Sequence, residues 1–347
     1  MSFPKPNIAA VLETAKAQVT VKERPIPTPG SHELLVLNHA IAANPVEWRI
    51  QDFDFLVTKY PNVLGSDVCG TIVAIGDGVT RFKVGDRVTG FAAVIYNSDI
   101  DHGAWQTYTL LRDIGTTKIP DSMSFEEGSV FPMGFATAAM ALLQNLGIPR
   151  PPGPLPADMK DTALLVWAAS SSVGCSGIQI AKALGLPVYA VCSKKNHAYV
   201  KSLGATETFD YHDPDVVSKI VDIAKKNGVS ITKAFDTISE HGSFQLVADV
   251  LVRGGKGGAL ATVLEWPATD PKPEGIDISM TYALRTGTDL PEFGAWLFND
   301  WLADALEKKI VVPAPKIQIV GGGIGAAQKV YDMLRPGVSA TKLVVKV

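Results

Sequence analysis

The sequence has little that would support a disulfide framework, a structural zinc lobe or a membrane span. Its three cysteines, Cys69, Cys175 and Cys192, lie far apart and form no Cys-x-x-Cys pair. This spacing argues against both cysteine-based architectures. No stretch approaches the roughly 18 apolar residues that a transmembrane helix needs, and the N-terminus lacks the apolar region of a secretory signal. We therefore expect a cytoplasmic protein.

The chain also lacks an excess of charge of either sign. It carries 32 Lys and Arg against 35 Asp and Glu, a formal net charge of -3. No basic stripe is present, so we expect no nucleic-acid partner and no membrane partner. The six histidines form no His-x-x-x-His pair that would place two metal ligands on one helix face. The length of 347 residues is sufficient for two domains with substantial cores.

The first third of the chain is predicted to be rich in β-strands. Short apolar segments separated by Gly and Pro predict strands at Val19–Glu23, Glu33–Ala42, Val68–Ile75, Arg87–Gly90 and Ala104–Leu110. The stretch from residue 125 to residue 146 then predicts two helices, the second of which is Ala136–Leu146.

Strands and helices alternate after a proline-rich loop at residues 149–156. The predicted strands are Ala163–Ala168, Val188–Cys192, Glu207–Tyr211, Lys233–Thr237, Ala259–Leu264 and Ile276–Thr281, and the intervening helices are Val173–Leu184, Asn196–Leu203, Asp215–Asn227 and Phe244–Val252. This alternation predicts an α/β fold with a doubly wound parallel sheet. A helix at Pro291–Lys308 and a strand at Lys342–Val347 follow, and we predict that this last strand returns to the β-rich domain.

The turn after the first of these strands has the composition of a phosphate-binding turn. It reads Ser170-Ser171-Ser172-Val173-Gly174 and opens a helix. Small side chains there allow phosphates to approach the N–H groups at a helix N-terminus, where the helix dipole favours anions. The alternative is a close-packed βα corner that binds no ligand.

The end of the second strand predicts which nucleotide binds. About twenty residues beyond the turn, NAD-binding sites usually carry Asp or Glu for the ribose hydroxyls. Here the chain carries Ser193, Lys194 and Asn196, which suit a 2′-phosphate. The sequence therefore predicts NADPH/NADP⁺ as the cofactor, with a plain surface lysine as the alternative role of Lys194.

The chain resembles the medium-chain dehydrogenase/reductase superfamily in three segments: residues 64–76, residues 82–88 and Asn44-Pro45-Val46-Glu47-Trp48-Arg49. The order of its predicted elements matches that superfamily over essentially the whole chain. The resemblance implies a GroES-like β-rich catalytic domain, residues 1–126 and 290–347, and a Rossmann NADPH-binding domain, residues 127–289. Two zinc-independent branches are similar: quinone oxidoreductases and the trans-acting enoyl reductases of polyketide synthesis. The second is the more similar, through Asn44-Pro45, Ser170–Ser172, Ser193–Asn196, Phe209-Asp210-Tyr211 and Val338–Val344.

The zinc-binding residues of the superfamily's alcohol dehydrogenases are missing. Their first motif carries Cys and their second Gly-His-Glu, whereas this chain has Asn44 and Gly65-Ser66-Asp67. Without imidazole and thiolate ligands we expect no metal.

The resemblance then implies NADPH-dependent hydride transfer, without zinc, to an activated C=C bond of an enoyl thioester or enone in secondary metabolism. The substrate would be a small α,β-unsaturated carbonyl, free or carried on an acyl carrier domain of a synthase, and the protein a monomer or homodimer. A quinone oxidoreductase and a non-catalytic NADPH-binding protein are the alternatives.

The resemblance also implies the residues of the site. Arg49 lies where enoyl reductases often carry Lys, and it is the candidate catalytic group; the alternatives are a surface salt bridge to Glu47 and a solvated side chain. A guanidinium keeps the positive charge but is not a feasible proton donor. The implied cofactor contacts are Val46, Arg49, Thr137, Ser170, Ser171, Ser172, Val173, Gly174, Ser193, Lys194, Asn196, Tyr211, Val263, Leu264, Val338 and Ser339. The implied substrate contacts are Met133, Gly134 and Tyr282.

Overall fold

The computed structural model describes residues 5–151, 153–254 and 257–347. These residues form two compact units. Unit 1 contains the residues up to 133 together with residues 284–347, and unit 2 contains residues 134–283. The domain boundaries predicted from the sequence lie at 126/127 and 289/290.

The strands are numbered in chain order. They are β1 (Asn7–Leu12), β2 (Thr20–Arg24), β3 (Glu33–Ala42), β4 (Asn62–Val63), β5 (Asp67–Ile75), β6 (Arg87–Phe91), β7 (Tyr108–Arg112), β8 (Thr116–Lys118), β9 (Thr162–Trp167), β10 (Val188–Val191), β11 (Glu207–Phe209), β12 (Ser230–Asp236), β13 (Gly258–Thr262), β14 (Ile276–Met280), β15 (Lys316–Ile319) and β16 (Thr341–Lys346).

The α-helices are α1 (Pro45–Phe53), α2 (Val94–Asn97), α3 (Phe125–Gly128), α4 (Pro132–Ala139), α5 (Ser172–Ala183), α6 (His197–Leu203), α7 (Val216–Lys226), α8 (Ser243–Arg253), α9 (Pro291–Ala295), α10 (Ala303–Glu307) and α11 (Ala327–Leu334). Two π-helical segments, Met140–Asn145 and Trp296–Leu302, continue α4 and α9.

Unit 1 is built on β-sheets whose strands are mostly antiparallel. Strands β2, β1 and β4 form a small sheet, and a larger sheet has the order β15-β16-β3-β5-β6-β8, with β7 paired to β3. The C-terminal strand β16 pairs with β3, with Val344 opposite Ala42. The predicted return of the last strand to the β-rich domain is therefore confirmed. Most residues of β3 are buried, as expected of a strand in the interior of a sheet, where β3 pairs with β16, β5 and β7.

Unit 2 is a parallel sheet with helices between its strands. The strand order is β11-β10-β9-β12-β13-β14, and each described pair is parallel. All six residues of β9 are buried, as expected of a central strand whose faces are both covered by helices. Its core includes Leu165, Ile220, Val247 and Leu260. The predicted α/β class, with a β-rich domain and a doubly wound parallel sheet, is confirmed.

Element ends differ more from the sequence predictions than element centres do. The predicted strand Ala104–Leu110 is wrong in its first half, because β7 starts at Tyr108 and the N–H of Trp105 bonds to Leu64 outside a strand pair. The prediction that β11 extends to Tyr211 is also wrong, since the strand ends at Phe209. Helix Pro291–Lys308 is observed as α9, a π-helical segment and α10 in direct succession.

Helices α1 and α11 were not predicted. The first begins with Pro45 directly after its N-cap Asn44, a position where proline is favoured because the missing N–H has no helical partner. Among the described residues, no helix is both long and apolar enough to cross a membrane.

Candidate functional site

The turn between β9 and α5 is held by hydroxyl groups. Ser171 is the N-cap of α5: its Oγ accepts a hydrogen bond from the Gly174 N–H at 2.9 Å and lies 2.8 Å from Thr237 Oγ1. Ala168, just before the turn, has a left-handed backbone with φ 53°. The turn thus leads directly into the N-terminus of a helix of twelve residues, where free N–H groups and the helix dipole favour an anion.

Two glycines allow close packing around this turn. A Cβ on Gly174 would lie 2.7 Å from the Ala168 carbonyl oxygen, and a Cβ on Gly134 would lie 2.8 Å from Ser172 Oγ. Gly134 therefore has a packing role that its prediction as a substrate contact did not include. The Ser172 Oγ is buried and has no hydrogen-bond partner among the described residues. Buried hydroxyls are normally paired, so the turn offers a bound phosphate an unused donor.

The predicted nucleotide residues at the ends of β10 and β11 lie together. Asn196 Nδ2 donates to Ser170 Oγ at 3.1 Å, which joins the end of β10 to the phosphate turn. Ser193 Oγ donates to the Tyr211 hydroxyl at 3.3 Å. Tyr211 is 46 % exposed, which leaves much of its ring available to a ligand.

A concavity of about 460 Å³ adjoins the predicted nucleotide residues, and Lys194 is one of its lining residues. Its other charged groups are mutually satisfied: Lys219 pairs with Asp213, and His212 lies 2.8 Å from Asp210. Burial opposes ionisation of Asp210, but hydrogen bonds from His212 hold the pKa of this carboxyl below its ordinary value. Within the described part of the chain, no carboxylate pairs with Lys194. Its ammonium group is therefore free to meet an anion.

The ends of β12 and β13 are fixed by Asp236, a residue that sequence reasoning missed. The buried carboxylate accepts hydrogen bonds from the N–H groups of Ile238 and Ser239 and from the Ser243 hydroxyl. Burial raises its pKa despite these bonds. Ser239 Oγ in turn accepts the Val263 N–H at 3.0 Å. The available signal was an acidic residue inside a predicted buried strand.

The other residues of unit 2 that are predicted to bind cofactor or substrate differ in how deeply they are buried. Val263 and Leu264 are half-buried just beyond β13, and Tyr282 is 39 % exposed two residues beyond β14. Asn145 Nδ2 bonds to Met280 O and Thr281 Oγ1, both at 3.1 Å, and so fixes the segment before Tyr282. Thr137 is buried within α4, and Val173 is half-buried in the first turn of α5.

Unit 1 contains a buried ion pair that sequence reasoning also missed. Lys342 Nζ lies 2.9 Å from Asp67 Oδ2 and donates to Asn44 Oδ1 at 2.6 Å. Asn44 Nδ2 donates to the same Asp67 oxygen at 2.9 Å, and the Met133 N–H donates to the other oxygen at 2.6 Å. All three side chains are at least 96 % buried, since Asn44 is the most exposed at 4 %. Asp67 was considered only as a poor metal ligand, and nothing in the sequence paired it with Lys342.

Glu47 lies beside this ion pair, at the start of α1. Its Oε2 accepts the Asn44 N–H at 3.0 Å, and its Oε1 is unpaired within the described ranges. Burial raises the pKa of Glu47 to about 8, the Asn44 N–H opposes the shift, and the nearby Asp67 adds to it. Because the Glu47 side chain is fully buried, it is not the surface ion-pair partner considered for Arg49.

The remaining predicted residues of unit 1 lie nearer the surface. The Arg49 guanidinium lies 4.9 Å from the centroid of the Trp48 ring. Val46 and Arg49 are half-buried on α1, whereas Val338 and Ser339 are exposed in the turn before β16. The structure thus brings Val46 and Arg49 onto one helix and Val338 and Ser339 into one turn.

Comparison with known proteins identifies the family. The model of the alcohol dehydrogenase GroES-like domain matches residues 30–121, and that of the zinc-binding dehydrogenases matches residues 172–297. The trans-enoyl reductase tndF of Aspergillus flavipes is 37 % identical over 343 residues, covering 97 % of this chain and 98 % of its own. The trans-enoyl reductase tazE of Aspergillus terreus is 42 % identical over 264 residues, covering 75 % and 85 %.

The chain belongs to the medium-chain dehydrogenase/reductase family. It is an oxidoreductase, and members of this family use nicotinamide cofactors.

Solved structures agree with the fold of a medium-chain dehydrogenase/reductase. An alcohol dehydrogenase superfamily protein from Novosphingobium aromaticivorans superimposes with a TM-score of 0.80 at 22 % identity, covering 98 % of this chain and 99 % of its own. The Escherichia coli quinone oxidoreductase complexed with NADPH gives 0.75 at 18 %, covering 99 % and 100 %. CurK enoyl reductase also gives 0.75 at 18 %, covering 99 % of each chain. These likenesses concern the fold alone.

The residues of this family member do not fit a catalytic zinc at the second motif. Ser66 offers a hydroxyl in place of imidazole, both ends of the Asn44 amide are already bonded, and the Asp67 carboxylate is already neutralised by Lys342. Zinc sites need deprotonated thiolate, imidazole or free carboxylate ligands. In the described residues, no group of three or more His, Cys, Asp and Glu side chains is arranged to hold a metal ion.

Proposed function

We propose that this protein is a zinc-independent, NADPH-dependent enoyl reductase that reduces an activated C=C bond in secondary metabolism. Two relatives named trans-enoyl reductases, one of which matches over nearly the full length of both chains, support the reaction class. The observation that carries the cofactor assignment is Lys194, which pairs with no carboxylate of the described residues and follows β10 in the segment that Asn196 joins to Ser170. An NAD-binding site would carry an acidic residue there.

The Ser170–Gly174 turn and the segment Ser193–Asn196 after β10 form two ends of one nucleotide-binding region and have separate roles in this proposal. Backbone N–H groups at the start of α5, with the Ser172 hydroxyl, bind the pyrophosphate. Lys194 and Ser193 bind the 2′-phosphate, and the exposed Tyr211 ring contacts the adenine. Asn196 holds the two ends together through its bond to Ser170.

In this reaction the protein has to orient the cofactor and the substrate and to stabilise the charge that develops. Bound NADPH supplies the hydride that is added to the β-carbon of an α,β-unsaturated carbonyl. Negative charge then develops on the carbonyl oxygen and requires a donor or cation nearby. Arg49 is the candidate cation, and because its guanidinium keeps its protons, the α-carbon must take its proton from another source.

The proposed substrate is an enoyl thioester, and we propose that it is carried on the acyl carrier domain of a polyketide synthase. The name trans-enoyl reductase of the two relatives supports this partner. A short enone or an enoyl thioester of a small thiol carries the same reactive group and serves as the probe.

The test is NADPH oxidation by the purified protein with an enone, an enoyl thioester and a quinone in parallel. We expect turnover of the conjugated carbonyls, with the quinone slower by at least about tenfold, or about 1.4 kcal/mol in activation free energy. Preference for the quinone would assign the protein to the other zinc-independent branch. No turnover of any substrate despite NADPH binding would favour a non-catalytic nucleotide-binding protein.

The cofactor assignment is tested by Lys194→Ala. Losing one charge-assisted phosphate contact costs about 1.5–3 kcal/mol, so the KM for NADPH should rise about tenfold or more, while NADH kinetics stay nearly unchanged. Lys195→Ala is the matched control, because this neighbouring lysine is exposed but does not line the concavity. Equal effects of Lys194→Ala on both cofactors would contradict the assignment.

A further inference from the structure

The turn at residues 336–341 follows α11 and ends at Thr341, the first residue of β16, and residues 336–339 are exposed. Val338 is 43 % exposed, and Ser339 is exposed as well. Gly337 and Ala340, on either side of them, both have left-handed backbones, with φ of 83° and 49°. Ala340 is not a glycine, and a residue with a side chain keeps such a backbone only where the surrounding structure holds it.

The first end of the turn is held by Arg335. Its Nε donates to Asp52 Oδ2 at 2.9 Å and its Nη2 to Asp52 Oδ1 at 2.8 Å, which is a bidentate pair. The same Nη2 donates to Gln51 Oε1 at 2.7 Å. The guanidinium holds the pKa of the Asp52 carboxyl below its ordinary value. Both acceptors lie in the last turn of α1, so the start of the 336–341 turn is fixed to the C-terminal end of that helix.

The second end is held by Lys342, which follows the turn directly. Its ammonium group bonds to Asn44, the N-cap of α1, and to Asp67, which also binds the Asn44 amide. This end of the turn is therefore fixed to the N-terminal end of the same helix. Helix α1 is nine residues long, and the turn is anchored to both of its ends.

Helix α1 and this turn carry the residues of unit 1 that are expected to bind the cofactor: Val46, Arg49, Val338 and Ser339. We propose that Arg335 and Lys342 are positioning residues, which lock the 336–341 turn to α1 so that these groups form one preorganised surface for NADPH. The proposal rests on the proposed function. Holding the turn in place before binding removes an ordering cost that would otherwise weaken the affinity.

Arg335→Ala is the primary test, since its pair is partly exposed and its loss leaves no buried charge. We expect the Kd for NADPH to rise by about five- to tenfold because the turn must be ordered on binding. The Kd for adenosine 2′,5′-bisphosphate should not change, because this fragment carries only the groups assigned to unit 2. Arg335→Lys, which keeps the charge but loses the bidentate fork, should lie between wild type and alanine.

The matched control is Arg81→Ala, which removes a similar Arg–Asp pair, with Asp300 at 2.7 Å, elsewhere in unit 1. It should leave the affinity for both ligands unchanged. Asp52→Ala should reproduce the effect of Arg335→Ala, and the double variant should be no weaker than either single variant. The variant Lys342→Met/Asp67→Asn tests the second anchor without leaving an uncompensated buried charge, and it should show the same selective loss of NADPH affinity.

An Arg335→Ala protein with wild-type affinity for NADPH would overturn the proposal. So would equal weakening of NADPH and the bisphosphate, which would indicate general loosening of the fold. If the wild-type protein binds the bisphosphate but not NADPH, the proposal and the proposed function fail together. If the wild-type protein binds and oxidises NADPH while the variants are unaffected, only the positioning role fails.

Discussion

The role of Arg49 can be tested at the scale of one residue. If its guanidinium stabilises charge on the substrate or holds the cofactor, Arg49→Ala should lower kcat/KM for an enone by at least about tenfold, or about 1.4 kcal/mol of transition-state stabilisation. Arg49→Lys should keep part of the activity because the charge persists. Steady-state kinetics of the alanine variant that match the wild type would remove Arg49 from the site.

Individual residues also mark the limit of what the sequence predicts. Ser193 and Lys194 are predictable because a short motif fixes their place at the end of one strand. The Lys342–Asp67 pair joins residues 275 positions apart, and no local pattern reports such a distant contact. Asp236 was overlooked because a buried acidic residue has no periodicity of its own. The contacts proposed for Tyr282, Val338 and Ser339 remain predictions.

Among the secondary-structure elements, the N-terminus of α5 is the proposed binding site of the pyrophosphate. Ser171→Ala removes the oxygen that accepts the Gly174 N–H, and the loss of such a cap costs about 0.5–2 kcal/mol of stability. We expect this decrease in chemical unfolding of the protein without cofactor. Ser218→Ala, in the exposed part of α7, should stay within about 0.5 kcal/mol of wild type. A Ser171→Ala protein as stable as the Ser218→Ala protein would contradict the capping role.

The strands and helices of unit 2 were predictable because apolar runs alternate with amphipathic segments at regular intervals. Their ends were less so: Tyr211 lies beyond β11 because the chain turns at Asp210, whose carboxylate accepts the His212 N–H. Helix α1 was missed because Asn44-Pro45 was interpreted only as a family motif, although a proline at the first helical position is a start signal.

At the scale of the whole molecule, Glu47 makes stability depend on pH. Its pKa is raised from 4.5 to about 8 by burial, so the folded protein keeps a proton that the unfolded chain loses. Stability must therefore fall as the pH rises through this window, by up to about 1.4 kcal/mol per pH unit. Glu47→Gln should remove this part of the decline in thermal unfolding, whereas the exposed Glu23→Gln should retain it. Parallel profiles for wild type and Glu47→Gln would contradict the raised pKa.

The two-unit organisation was also predictable from the sequence, because a β-rich segment, an alternating segment and a final strand follow one another. Strand β16 pairs with β3, so the last strand lies in the β-rich unit. The pairing partner of that strand was not predictable, because strand order depends on contacts across the whole unit and not on the local pattern.

In the proposed reaction, a hydride passes from NADPH to the β-carbon of a conjugated carbonyl. The most direct measurement uses NADPH carrying deuterium at C4 of the nicotinamide, in the transferred position, with an enoyl thioester as substrate. We expect a saturated product with one deuterium on the β-carbon and a solvent-derived proton on the α-carbon. Deuterium on C1 of an unsaturated aldehyde or of an allylic alcohol would show hydride addition to the former carbonyl carbon and would contradict the proposed reaction. NADPH oxidation without a labelled saturated product would contradict it as well.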